Sequence, residues 1–458
     1  MKKFVIISAI IISHLFAQQD HSELIEGPFN TGEEVTETCL TCHDYAGEEI
    51  LKTRHWNWQG PAFNDGKHGV IKAGKKNLIN NFCIAISSNQ PRCTSCHIGY
   101  GWKDNSFDFS DVNKIDCLVC HDQTGTYKKE PTGAGEPVKG LDLVKIAQSV
   151  GKPTMKNCGT CHFNGGGGTG VKHGDLDESL YDADEELDVH MGGLGFDCLE
   201  CHETKEHKIS GAGHGSMAQG VNHFDCTKCH GEKIHKIEVL DRHIKTIACE
   251  TCHIPEFARV EPTKTWWDWS KAGGQGEDIK DAGGNVIYNR MKGEFKWEKN
   301  VKPVYSWYNG KADYYLAGDK ADENKIIKLN TPEGEITEKS SKITPFKLMK
   351  GKQPFDPVNK YLIIPKLFGP EGYWKTYDWV KASELGMKSV NLNFSGKVDF
   401  AETEMYWPIN HMVAPADKAL KCLKCHGGEE NKLLNWKALG YKTDPIKTRG
   451  RFSNNLVK

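Results

Sequence analysis

The stretch CLTCH, residues 39–43, sets two thiols three positions apart and a histidine directly after the second. The arrangement recurs at Cys93/Cys96/His97, Cys117/Cys120/His121, Cys158/Cys161/His162, Cys198/Cys201/His202, Cys226/Cys229/His230, Cys249/Cys252/His253 and Cys422/Cys425/His426, eight times with Cys39/Cys42/His43. This is the attachment motif of c-type haem: each thiol adds across one vinyl group, and the adjoining histidine lies under the iron. Zinc ribbons and disulfide frameworks also use paired cysteines, but neither accounts for a histidine after every second one. Eight covalently bound haem c groups are expected, held by these cysteines, with the eight motif histidines as proximal metal ligands.

Around this framework the remaining sequence is nearly neutral and modest in hydrophobicity. Hydrophobic residues make up 38% of 458 positions, and haems supply the apolar surface the chain lacks. The fold class expected is a multihaem cytochrome c, mainly α and irregular loops organised around eight haems. Net charge is −2, and a leader carrying two lysines and no acids leaves −4 on the mature chain. No basic excess favours nucleic acid, and small anions would have to be drawn by local lysines and arginines. Lys2 and Lys3, the apolar run 4–16 and Ala17 read as a signal peptide over residues 1–17. The run is too short, and too broken by Ser8, Ser13 and His14, to anchor in a bilayer, and no later segment spans one. Because this haem attachment follows export, a periplasmic location is expected.

Successive first cysteines lie 54, 24, 41, 40, 28, 23 and 173 residues apart. The short intervals place the second and third motifs, and the fifth to seventh, close together. The chain divides into a seven-haem core at 18–260, a haem-free segment at 261–415, and the eighth motif with its tail at 416–458. Trp266, Trp267, Trp269, Trp297, Trp307, Trp374, Trp379 and Trp407 fall in the haem-free segment, which reads as a small α/β elaboration. Asn309-Gly310 suits a tight turn joining strands at 304–308 and 314–316, a second hairpin is expected from 326–329 and 335–337, and 373–387 suits a helix. The four glycines at 165–168 permit a free turn or a close approach to a cofactor. Lys447, Arg449 and Arg451 make a basic tail, expected to be solvated rather than docked.

Outside the motifs and the leader stand eleven histidines: His21, His55, His68, His173, His190, His207, His214, His223, His235, His243 and His411. Each is a candidate distal ligand, His21 the weakest because it lies beside the new N-terminus. An iron with two histidines carries electrons only, whereas a catalytic iron needs a free position. Eleven candidates suffice for eight irons, so counting alone does not reveal an open site. Cys83, in NFCIAIS, is the seventeenth cysteine and belongs to no motif. Two readings stay open for it, a reactive thiol or a small buried hydrophobe. Lys172 can ligate iron if burial makes its amine neutral, or attract an anion if charged. The acids Asp175, Asp177, Glu178, Asp182, Asp184, Glu185, Glu186 and Asp188 form either a solvated face or a calcium site of no standard spacing.

With these residues in view the chain resembles the octahaem tetrathionate reductases. The resemblance rests on eight CxxCH motifs with a long gap before the last, Cys83 ahead of the second motif, and KHGDLD at 172–177. CHIPEFAR at 252–259 followed by TKTWWDWS at 263–270 extends it across essentially the whole mature chain. It implies kinship with hydroxylamine oxidoreductases and cytochrome c nitrite reductases, although the CxxCK motif of the latter is absent. It also implies an active site at the second haem, held by Cys93, Cys96 and His97, with Lys172 as an unusual iron ligand and Cys83 nearby. The activity so implied is an oxidoreductase reducing tetrathionate to thiosulfate, with nitrite and hydroxylamine as further small substrates and a periplasmic or membrane-bound electron donor. Two other readings remain: a non-catalytic multihaem electron carrier, and a hydroxylamine-type enzyme working in the oxidative direction.

Overall fold

Each attachment motif sits on or beside a short helix, because one helical turn brings the cysteines at i and i+3 to the same face. The computed structural model describes residues 20–211, 224–427, 433–447 and 451, so the signal peptide expected at 1–17 lies outside the described residues. Helices at Gly32–Leu40, Leu118–His121, Met155–His162, Cys198–Cys201, Thr227–His230, Cys249–His253 and Cys422–Cys425 carry seven motifs, and Gln90–Cys93 runs into a 3-10 turn at the second. Local caps start several of them. The Thr31 side chain accepts from Glu34 N, and capping boxes join Thr154 to Asn157 and Asp197 to Glu200. The longest described helix, Trp379–Ser389, lies elsewhere.

The segment between the seventh and eighth motifs is larger than a small elaboration. It forms a nine-stranded mixed sheet ordered Ile327–Lys328, Asp399–Pro408, Lys342–Asp356, Thr263–Asp268, Gly293–Glu298, Val286–Asn289 and Ile279–Lys280. Val304–Tyr308 and Tyr361–Leu362 also pair with the long strand Lys342–Asp356. That strand is buried along most of its length, as expected where both faces of a sheet are covered. The core over the sheet takes in Ile79, Phe82, Ile84, Ala85 and Val171 together with Trp267, Trp269, Met349 and Trp407. The segments bearing Cys83 and Lys172 are therefore packed onto the sheet.

Three local expectations are corrected. Asn309-Gly310 does turn the chain, with Gly310 at φ 91°, but its flanks part: Val304–Tyr308 pairs with Lys342–Asp356, and Ala312–Tyr314 with Asn330–Pro332. The second hairpin is replaced by a parallel pairing of Ile327–Lys328 with Asp399–Pro408, and 335–337 form no strand. The helix expected over 373–387 breaks at Tyr377, where φ is 55°, and restarts with the Asp378 side chain accepting from Lys381 N.

The acidic run is split. Glu178, Asp182, Asp184, Glu185 and Glu186 are exposed, whereas Asp175, Asp177 and Asp188 are buried and accept backbone N–H groups. Among the described residues no group of three or more His, Cys, Asp or Glu side chains is arranged for a metal ion, so no calcium site emerges. In the tail Lys447 is exposed, but Arg451 is buried, donating to the carbonyls of Ile336, Ser341, Glu335 and Glu338 under the ring of Trp307. Arg449 lies outside the described residues. No described helix is long and apolar enough to cross a membrane.

Candidate functional site

Seven of the eight motif histidines face a second histidine. The pairs are His43 with His21, His121 with His207, His162 with His55, His202 with His411, His230 with His190, His253 with His235 and His426 with His243. Their ring centres lie 6.3, 6.5, 6.0, 6.3, 6.0, 6.3 and 6.2 Å apart, respectively. Two imidazoles bound through nitrogen to one metal, each about 2 Å away, are expected at about 6.3 Å between ring centres. The spacing fits an iron between each pair. His21 takes part despite its terminal position.

The outer ring nitrogens support the same geometry. Nδ1 meets Gly151 O in His121, Ser210 O in His202 and Asp444 in His426. Among the partners, Nδ1 meets Glu49 in His207, Asp241 in His235, the Val239 carbonyl in His243 and Asp175 in His411. A metal-bound imidazole gives its other N–H to such an acceptor, which leaves Nε2 for the metal.

The attachment thiols are not equally enclosed by protein, a difference that eight equivalent motifs in the sequence do not convey. Cys42, Cys229 and Cys422 are exposed, whereas the remaining motif cysteines are partly buried. The reason is local. The side chain of Cys42 meets the Thr41 hydroxyl at 3.7 Å, just past the end of its helix. Cys229 and Cys422 lie on four-residue helices, Thr227–His230 and Cys422–Cys425, that bury none of their own residues. In each of these three motifs the other thiol, Cys39, Cys226 or Cys425, is partly buried, so one cysteine of the pair is exposed and the other is packed.

The second motif is built the other way round. His97 faces no histidine. Its Nε2 lies 2.7 Å from the Trp56 carbonyl, while Nδ1 is buried without a partner. Trp56, Trp58 and Trp102 surround the ring at 5.0, 5.4 and 4.9 Å, with Phe107 and Phe109 beyond. Desolvation pushes His97 down to about 3, so the ring is neutral and its Nε2–H donates to Trp56.

Lys172 lies within electrostatic reach of Cys96 of this motif. Its amine sits 4.9 Å from the centre of the Trp407 ring. Desolvation first, then the charge of Lys75, pushes it down to about 7, with Cys96 opposing. The stem packs along the glycine run: a Cβ built on Gly165 would meet Lys172 Cδ at 3.1 Å, and Gly166 to Gly168 all have positive φ. Those glycines thus provide the turn and leave space for the Lys172 stem. Cys83 donates its thiol to the Gly166 carbonyl at 3.3 Å. Burial raises the Cys83 pKa against the pull of Lys292, Lys264, Arg92 and Lys75, so the thiol stays protonated. Lys264 stands in an aromatic enclosure, 4.0 Å from Trp267, 3.4 Å from Phe295 and 4.8 Å from Trp297. Sequence reading passed over these cations; the TKTWWDWS stretch, a lysine among tryptophans, was the available signal.

Two further candidate ligands have other roles. His68 bridges Asp65 and Asp319, and His173 lies against Trp407 at 5.2 Å. His214 and His223 lie outside the described residues. The motifs themselves adjoin. Side chains of Cys39 and Cys117, Cys96 and Cys161, Cys158 and Cys198, and Cys226 and Cys249 touch. The second motif therefore meets the fourth, as well as the third through the Gly99–Ile115 bridge.

Repeated attachment motifs with paired axial histidines define a multihaem c-type cytochrome carrying covalent haem. The family model for bacterial cytochrome c matches residues 264–429. The crystal structure of octahaem cytochrome c from Shewanella oneidensis is 49% identical, with a TM-score of 0.89, and the match covers 95% of this chain and all of that one. An uncharacterised protein of Archaeoglobus fulgidus is 25% identical over 241 residues, 42% of this chain and 80% of its own length. The chain belongs to the octahaem cytochrome c family.

Proposed function

We propose that this chain is a periplasmic eight-haem reductase of small sulfur and nitrogen oxyanions, tetrathionate foremost, working at the second motif. The observation that carries the reading is the inverted His97, whose Nε2 is engaged by the Trp56 carbonyl instead of facing a second histidine. Seven histidine pairs alone would suit a pure electron carrier; the eighth site does not repeat them. When bound, the haems supply electron carriage between motifs and, at the second, an iron with a place for a small ligand.

The protein's own residues do the rest. Lys172, rather than His97, is the protein ligand at this site, since an amine lowered to about 7 has a lone pair in much of the population at neutral pH. With His97 Nε2 turned to the Trp56 carbonyl, the Lys172 amine would be the protein group that holds the iron, and a small substrate would have room to bind it. The tryptophan cage keeps water from His97 and holds it away. Lys75, Lys292 and Arg92 set a local positive field on a chain of net charge −2, which draws anions to the site. Tetrathionate accepts two electrons, breaks its central S–S bond and leaves as two thiosulfates, consuming no proton. Cation stabilisation is therefore what the pocket must supply, and the neutral Cys83 thiol lies against substrate sulfur without opposing its charge.

The N-terminal leader supports export, and the electron donor is a periplasmic or membrane-bound partner. Purified holoprotein given an artificial electron donor should turn over tetrathionate, with nitrite and hydroxylamine as alternative acceptors. Failure to consume any of the three would leave the electron-carrier reading in its place.

A further inference from the structure

Lys347 is an unexpected residue for its position. It lies near the middle of the strand Lys342–Asp356, is 1% exposed, and has no carboxylate in hydrogen-bonding contact. Burying an amine is costly unless its hydrogen bonds are made, and a methionine of similar volume would fill the same space. The Lys347 amine instead serves one object, the turn 170–173, both directly and through Thr263. It donates to the carbonyls of Val171 and Lys172, both at 3.1 Å, and to Thr263 Oγ1 at 2.6 Å.

Thr263 extends the clamp, because its hydroxyl lies 2.7 Å from the Gly170 carbonyl and 3.2 Å from that of His173. Lys264 N also donates to Gly170 O at 3.0 Å. Gly170 has a φ of 64°, and a Cβ there would meet Pro262 O at 2.4 Å, so the turn is fitted tightly to the sheet. The register partner of Lys347 on the neighbouring strand is Trp407, and cross-strand partners share a face. Trp407 is the ring against which the Lys172 amine and His173 pack. One rung of the sheet thus holds both the backbone and the side chain of the lysine segment.

We propose that Lys347, with Thr263, is a positioning residue that fixes the direction in which Lys172 presents its amine to the second site. This rests on Lys172 being the iron ligand there. The clamp explains how a long, flexible side chain serves as a defined ligand: its backbone carbonyls are anchored to the sheet core instead of to a surface loop.

The test compares Lys347→Met, Thr263→Val and Lys172→Leu holoproteins by EPR of the ferric state and by labelling with an amine-directed reagent read by mass spectrometry. Lys347→Met should alter the signal of one haem, in the same way as Lys172→Leu, and leave the histidine-paired signals in place. Labelling of Lys172 should rise by roughly tenfold or more, the scale on which supporting residues affect a metal site. Thr263→Val, which keeps the side-chain shape, should produce the same changes in smaller degree and answers the question if Lys347→Met does not fold. If Lys172→Leu shifts the signal and neither clamp variant does, the positioning role is overturned while lysine ligation stands. If Lys172→Leu leaves every signal unchanged, both ideas fall.

Discussion

Replacing Lys172 by leucine is expected to lower tetrathionate reduction by about 100-fold or more, since losing even an outer partner of a metal ligand costs roughly 10–100-fold. Leucine is chosen because it offers no lone pair, whereas methionine could itself bind iron. The substitution should be mild for the fold. Lys172 is half-buried, and its stem rests on the glycine run, where the missing Cβ of Gly165 leaves room for an aliphatic side chain. Spectra should change at one site, with seven histidine-paired signals retained. Turnover close to that of the unaltered protein would remove Lys172 from the site.

The second large effect concerns stability. Asp175 is 1% exposed, and one of its oxygens receives the N–H groups of Asn410 at 2.7 Å and His411 at 3.0 Å, with His411 Nδ1 at 3.2 Å. Asp175→Ala strips the acceptor from two backbone donors, each costing about 1–3 kcal/mol when left unpaired. A net loss of about 3 kcal/mol is expected, seen as a lower melting temperature. The imidazole of His411 also loses the group that orients it toward His202, so one low-spin signal should broaden or convert. Asp175→Asn, which keeps one oxygen in place, should lose less of both. An unchanged melting temperature in Asp175→Ala would show that the carboxylate does not hold this loop.

The attachment sites were legible because their chemistry is local: two thiols and a histidine within one helical turn need nothing from the rest of the chain. For the same reason the motif did not reveal that Cys42, Cys229 and Cys422 stand at the surface, since exposure depends on what packs around each helix. The distal ligands were not legible either. His411 meets His202 across the molecule, and only the packing of the loop at 410–413 on Asp175 and Asp188 brings it there. His97 is the sharper case. Its motif, CTSCH, differs in no position that matters for attachment from the other seven, and its reversal is set by the carbonyl of Trp56, forty-one residues earlier. Cys83 stood out as the cysteine outside every motif and Lys172 as a lysine able to ligate iron, but only the family resemblance joined them to the second motif. In the haem-free segment the Asn309-Gly310 turn was read correctly but its strand partners were not. A tight turn fixes chain reversal, while pairing was decided by the long buried strand 342–356, which offers a better apolar surface than the short flank 312–314.

Titration of the reduced holoprotein with carbon monoxide, and of the oxidised form with cyanide, counts the irons that outside ligands can reach. Binding should saturate at about one ligand per chain, with the remaining low-spin bands undisturbed. The bound site should be the one perturbed in Lys172→Leu. No binding at all, or binding at several irons with equal ease, would contradict a single open position at the second motif.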